Sequence, residues 1–193
     1  AVELRHVCKS FGSFRVLDDV SLVIDAGRSV CILGRSGTGK SVTLKHIVGL
    51  MRPDAGHVLI EGEDITDLSG RDLSRVRQRI GFLFQNAALF DSIGVGENVA
   101  FPLRRHSKLK DEEIRSRAQH LLAQVGLERE YDKMPADLSG GMRKRAGLAR
   151  ALALEPAILL ADEPSAGLDP VTAGEIDALL VTLKKQSNTT LVV

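Results

Sequence analysis

Long apolar runs are missing from this sequence. No stretch approaches the ~18 residues that a membrane-crossing helix needs, and no basic-then-apolar leader pattern opens the chain. Any membrane role therefore has to come through a partner. Cysteine is scarce: Cys8 and Cys31 lack CxxC spacing, which excludes a disulfide framework or a zinc module. Both lie in apolar, strand-like runs and read as buried, reduced thiols. The histidines His6, His46, His57, His106 and His120 are too scattered to form a ligand set for a metal. Net charge is only +1, with no field that calls for nucleic acid. The densest basic stretch, Arg104, Arg105, His106, Lys108 and Lys110, reads as a solvated surface loop rather than a lipid contact. Internal repeats and low-complexity linkers are absent too. What remains, in 193 residues, is enough chain for one domain with a core and a smaller attached lobe.

Strand patterns occupy Val2–Val7, Val20–Ile24 and Val30–Leu33, with turns at Gly12 and Ala26-Gly27. A helix is predicted from Gly39-Lys40 to about Leu50, stopped by Arg52-Pro53-Asp54-Ala55-Gly56. His57–Ile60 and Ile80–Phe84 read as further strands. From about Ser92 to Leu154 helical signals dominate. Asp111 is placed to cap a helix whose Ile114, Ala118, Leu121, Leu122 and Val125 form one apolar stripe. Strand character returns at Ala157–Ala161 and again at Thr189–Val193, with a helix over about Thr172–Lys185 between them. Alternating strands and helices on both sides of a helical insert predict an α/β core that carries a helical lobe.

The segment Gly34-Arg35-Ser36-Gly37-Thr38-Gly39-Lys40-Ser41 fits G-x-x-x-x-G-K-[ST] and sits between an apolar strand and a helix. Glycines let backbone N–H groups turn inward around phosphate oxygens, and the helix N-terminus adds partial positive charge. Lys40 is expected to reach β- and γ-phosphates, the Ser41 hydroxyl to ligate Mg²⁺, and Val42 to complete the nucleotide-binding run. The strand Ala157–Ala161 ends in Asp162-Glu163, two acids delivered beside that loop. Asp162 is the metal candidate, and Glu163 the general base that orients the attacking water.

A second glycine-rich helix head, Leu138-Ser139-Gly140-Gly141-Met142, precedes a helix predicted over Met142 to about Leu154. It resembles the LSGG signature of ABC ATPases. Other elements follow in that family's order. Gln85, after the strand Ile80–Phe84, resembles the Q-loop glutamine that senses metal and water. Ser165-Ala166-Gly167-Leu168-Asp169 resembles the D-loop, and Phe11 lies where the family stacks an aromatic ring on adenine, with Phe14 close by.

The resemblance covers essentially the whole chain and implies ATP and Mg²⁺ as cofactors. The implied fold is α/β, a P-loop NTPase (RecA-like) core with an antiparallel β subdomain and an inserted α-helical subdomain. Core and β subdomain would take about residues 1–86 and 155–193, and the helical part about 87–154. Ser139, Gly140 and Gly141 would close over a nucleotide held by another protomer, giving a head-to-tail homodimer, with Asp169 coupling the two sites. The run from Phe84-Gln85-Asn86 to Phe101-Pro102-Leu103, and Met142-Arg143-Lys144-Arg145, look like ATPases of bacterial Mla and Mce lipid-transport systems. That implies transmembrane permease subunits and lipid-binding envelope subunits as partners, no nucleic acid, and a place on the cytoplasmic face of the membrane. Ala87, Ala88, Leu89 and Phe90 would either line a groove for a helix of the permease or pack the helical lobe.

Competing classes lack their marks. Only 53 residues separate Gln85 from Ser139, without heptads or cysteine clusters, which argues against chromosome-maintenance relatives. Intact Lys40, Asp162 and Glu163 argue against a non-hydrolysing regulator. In the family the strand resembling Thr189–Val193 leads into a histidine at the γ-phosphate, and no histidine follows Asp169 here. The expectation is a cassette cut before that element, able to bind nucleotide with little turnover.

Overall fold

A computed structural model describes residues 1–193. Its first sheet begins with a long hairpin, β1 (Val2–Phe11) and β2 (Phe14–Ile24), and adds β4 (Ala55–Ile60) and β5 (Glu63–Asp64) in the order β2-β1-β4-β5. All three pairings are antiparallel. Val2, Leu4 and Val7 of β1 turn inward, and the irregular step from Leu4 to Val7 shifts the register so that all three stay buried.

The second sheet is parallel, in the order β3 (Ser29–Val30), β8 (Thr190–Val192), β7 (Ile158–Ala161) and β6 (Ile80–Leu83). β6 and β7 are buried at every residue, which is why both read as unbroken apolar runs rather than alternating ones. Helix α1 (Lys40–Ile47) buries Leu44 and Ile47 against a core shared by the two sheets. Helix α2 (Gly70–Arg77) contributes Val76 to that core.

Three helices, α3 (Val95–His106), α4 (Asp111–Gln124) and α5 (Gly140–Ala151), pack around a core of their own. Pro102 interrupts the hydrogen-bond ladder of α3. Buried Asn98, one turn earlier, ties the preceding loop to this helix. Its Oδ1 accepts from the Phe90 N–H at 2.7 Å, and its Nδ2 donates to the carbonyls of Phe90, Ile93 and Gly94. Helix α6 (Pro170–Gln186) packs Ile176, Leu180 and Leu183 against β7, β8 and the back of α5.

Several local expectations are corrected. β1 and β2 run four and six residues further than the apolar pattern predicts, because a tight Gly12 turn lets Phe11 and Phe14 pair directly. β3 is shorter than Val30–Leu33 and forms a sheet edge; beyond Val30 only the Ile32 N–H continues the ladder, to the Val193 carbonyl. Cys31 is consequently exposed rather than buried, and Cys8 is half-buried. Lys110, not Asp111, is the cap residue of α4: its own N–H is taken by the Glu113 carboxylate at 2.7 Å, while Asp111 pairs with Arg104. The basic stretch is not a loop throughout. Arg104, Arg105 and His106 form the last turn of α3, where cations complement the helix dipole.

Candidate active site

β3 runs through the phosphate-loop segment into α1, and Gly39 stands at the helix N-cap with φ 96°. A Cβ there would sit 3.0–3.2 Å from Leu17 and Val16, so both the backbone conformation and the space favour glycine. The first main-chain N–H of this helix to find a backbone acceptor is that of Thr43, on Gly39. Those of Lys40, Ser41 and Val42 donate to no main-chain group, and no side chain caps them. They form an open helix end of the kind that binds anions. Thr38 closes the loop by donating its hydroxyl to the Arg35 carbonyl at 2.8 Å.

Five predicted residues meet there. Lys40 Nζ donates to the carbonyls of Gly34 and Arg35, at 2.9 and 3.1 Å, and lies 3.4 Å from Glu163 Oε1. Ser41 Oγ donates to Asp162 Oδ1 at 2.7 Å. Asp162 and Glu163 leave the end of β7, and the Asp162 N–H donates to the Leu83 carbonyl, which fixes the acids beside the end of β6. Gln85, just past β6, donates its amide to Glu163 Oε2 at 3.0 Å. No three His, Cys, Asp or Glu side chains cluster as a metal cage. The Ser41 hydroxyl and the Asp162 carboxylate instead pair as oxygen donors of the kind that fits Mg²⁺ beside phosphate oxygens, with the Gln85 amide held nearby on Glu163.

At the far end of α1, His46 is buried. Its Nδ1 faces the Val42 carbonyl at 2.7 Å and so carries the proton, while Nε2 has no partner. Burial depresses its pKa.

The second helix head is built differently. Ser139 is the N-cap of α5, two residues earlier than predicted, and its Oγ accepts from the Met142 N–H at 3.2 Å. Ser139, Gly140 and Gly141 make no hydrogen bond to the phosphate-loop residues; Gly141 packs so closely on Thr172 that a Cβ would come within 2.4 Å of it. Asp169 caps α6, accepting from the Val171 and Thr172 N–H groups and the Thr172 hydroxyl. These bonds, the Thr172 hydroxyl first, hold its carboxyl below the usual carboxylate range. Phe11 is half exposed at the hairpin end, with the Lys9 ammonium 5.9 Å from its ring centre, and Phe14 is its strand partner.

Two α5 residues were not singled out from the sequence as site residues. Arg150 donates to the carbonyls of Ala88 and Ala87, at 2.6 and 2.7 Å, and so holds two consecutive left-handed residues after Gln85. Lys144 donates to the Glu163 carbonyl at 3.2 Å. Neither carries a local sequence signal, because the carbonyls they hold lie far along the chain. Ala88 and Phe90 line a groove of about 420 Å³ with Phe84, Phe101 and Pro102, whereas Ala87 is buried and Leu89 packs on the helical core. Within this stretch Ala88 and Phe90 thus face a groove, while Ala87 and Leu89 pack inward.

The family model described as ABC transporter matches residues 17–166. The chain is 48% identical to "Probable ribonucleotide transport ATP-binding protein mkl" of Mycobacterium tuberculosis over all of its length and 54% of that protein's. It is 41% identical to "Intermembrane phospholipid transport system ATP-binding protein MlaF" of Escherichia coli, over all of this chain and 71% of that protein. Among solved structures, the ATP-binding cassette MJ0796, as a dimer bound to ADP and Pi in a post-hydrolysis state, superposes with a TM-score of 0.92. Its sequence is 38% identical, over all of this chain and 87% of that one. The chain thus spans about half the length of the mycobacterial relatives, matches the cassette fold throughout, and belongs to the ABC transporter family.

Proposed function

We propose that this chain is the nucleotide-binding and catalytic part of an ATP-hydrolysing subunit that drives an ABC transporter moving phospholipid or a related lipid across the bacterial envelope. One observation carries the ATPase reading: Lys40, Ser41, Gln85, Asp162 and Glu163, drawn from three distant sequence segments, converge within hydrogen-bonding or ion-pairing distance.

In the mechanism that follows, the free N–H groups of Lys40, Ser41 and Val42 receive phosphate oxygens. Lys40 exchanges its two carbonyl partners for the β- and γ-phosphates. Glu163, oriented by Gln85, accepts the proton of the attacking water. Ser41, Gln85 and Asp162 would hold Mg²⁺, which supplies charge neutralisation to the phosphates when bound. Phe11 stacks on the base. The two sheets and α1 act as the nucleotide-binding core, and the three-helix cluster acts as a lobe joined to it.

Ser139, Gly140 and Gly141 offer a second anion-binding helix end apart from the phosphate loop. One nucleotide does not need both from one chain, which supports a head-to-tail homodimer, and MJ0796 is a dimer in its ADP-bound form. The groove around Phe84, Phe90 and Phe101 fits a short apolar helix from a transmembrane subunit. Lipid as cargo is supported by the likeness to MlaF over all of this chain and 71% of that protein. The test is to purify the protein with its membrane subunits, extract the bound molecule and add ATP. Release of a phospholipid on turnover is the expected result; a bound ribonucleotide or other water-soluble cargo would reassign the substrate and leave the ATPase intact.

A further inference from the structure

Lys144 is only 5% exposed, a rare condition for a residue that normally keeps its ammonium in water. Its stem runs inward from α5, and Nζ reaches the main-chain carbonyl of Glu163 at 3.2 Å. Loss of water depresses its pKa, and the charges of Glu163 and Asp162 oppose that shift. The carbonyl that it holds is unusual as well. Glu163 has φ 45°, a left-handed conformation that costs a non-glycine residue, and Pro164 follows it and further restricts its backbone. The same carbonyl accepts the Ala166 N–H at 3.1 Å, so two donors pin the turn.

We propose that Lys144 is a positioning residue for ATP hydrolysis: it fixes the backbone from which the Glu163 carboxylate projects, and ties that carboxylate to the helix headed by Ser139. The inference rests on the ATPase reading above. Lys144 lies five residues from the Ser139 cap on one continuous helix, so a displacement of the helix head is carried to the Glu163 carbonyl. Through Gln85 and Lys40 the side chain of Glu163 is held on its other side. The carboxylate is thereby sited by three independent anchors, one of which belongs to the element proposed to touch the partner's nucleotide. A cavity of about 290 Å³ between Gln85, Gly140, Lys144 and Gly167 leaves room for the small shift this requires.

The experiment is steady-state ATP hydrolysis by the protein assembled with its membrane subunits, comparing Lys144→Met and Lys144→Arg with the unaltered chain, alongside thermal melting. Met keeps the buried stem and removes the donor; misplacing a reacting group by about 1 Å costs up to about a hundredfold in rate. The expected result for Met is a kcat lowered about tenfold or more, with KM for ATP within about twofold and an unchanged melting temperature. Arg should restore the larger part of kcat. In a Glu163→Ala background, where the carboxylate is gone, single-turnover rates should fall less than about twofold on adding Lys144→Met. Unchanged kcat for Met overturns the proposal. So does a loss shared between kcat, KM and melting temperature, or an undiminished loss in the Glu163→Ala background. If Met does not fold, Lys144→Gln is judged by the same split. Absence of turnover in the unaltered assembly overturns the ATPase reading itself, whereas the outcomes above bear on Lys144 alone.

Discussion

The heads of α1 and α5 are both glycine-rich helix N-termini, yet they are finished in opposite ways. At α1 the N-cap is a glycine with no side chain to close the helix end, and the N–H groups of the first turn stay free. Its own carboxylates, hydroxyl and lysine gather around it. At α5 a serine side chain already takes one first-turn N–H, and the next residues of the helix are cations, Arg143 and Lys144, that hold main-chain carbonyls. The first head has what is needed to hold and cleave a phosphate chain. In the proposed dimer the second covers an anion that the partner holds. A helix dipole alone does not make a reaction centre; the groups arranged around it decide what it does.

The sharpest way to break this contrast is Glu163→Gln. It preserves shape and removes the base, so hydrolysis should fall by about 10²–10⁴-fold while ATP binding persists, read by phosphate release and nucleotide binding on one preparation. Retained turnover would move the chemistry away from the α1 head. Lys40→Ala comes next. Removing a charge-assisted donor worth about 1.5–3 kcal/mol should weaken ATP binding by about tenfold or more, measured by titration of a fluorescent nucleotide. Equal affinity would show that the α1 head does not grip phosphate through Lys40.

Ser139→Ala probes the other head. The lost cap costs about 1 kcal/mol of stability, and turnover should drop several-fold while binding by the isolated protomer is unchanged. A matching loss of affinity in the isolated protomer would mean that both heads serve one nucleotide within one chain.

The smallest effect concerns the far end of α1. Since His46 has its pKa depressed in the fold, the unfolded chain binds its proton first as pH falls. The contribution of this group to stability is full above the unfolded pKa of about 6.5 and is lost as pH drops toward the folded value, by at most about 1.4 kcal/mol at pH 5.5. Chemical denaturation at pH 7.5 and 5.5 should show that loss in the native chain and not in His46→Leu. An identical slope in both would place the acid sensitivity elsewhere.

Much of this geometry was readable beforehand, because its chemistry is local. The loop from Gly34 to Ser41, the pair Asp162-Glu163 and the strand-end Gln85 each announce themselves within a few residues, and the fully buried strands β6 and β7 follow from their apolar runs. What escaped depends on contacts distant in sequence. Nothing near Lys144 or Arg150 says that their cations turn inward to hold carbonyls at Glu163, Ala87 and Ala88. The exposure of Cys31 depends on β3 lying at a sheet edge, which an apolar run does not encode. The start of α4 was misplaced by one residue because Glu113 reaches back to the Lys110 N–H, leaving Asp111 free for Arg104.

The pairing of β3 with β8 also sets a timetable. The strand that feeds the phosphate loop finds its neighbour only in the last residues described, and Gly27 just ahead of it donates to Thr190, 163 positions along the chain. On a ribosome moving at about 5–20 residues per second, the β1–β2 hairpin can close while β3 waits roughly 10–30 s for its partner to emerge. During that interval the glycine-rich loop hangs from an unpaired strand, so newly made protein should acquire nucleotide affinity abruptly and only after β8 has emerged.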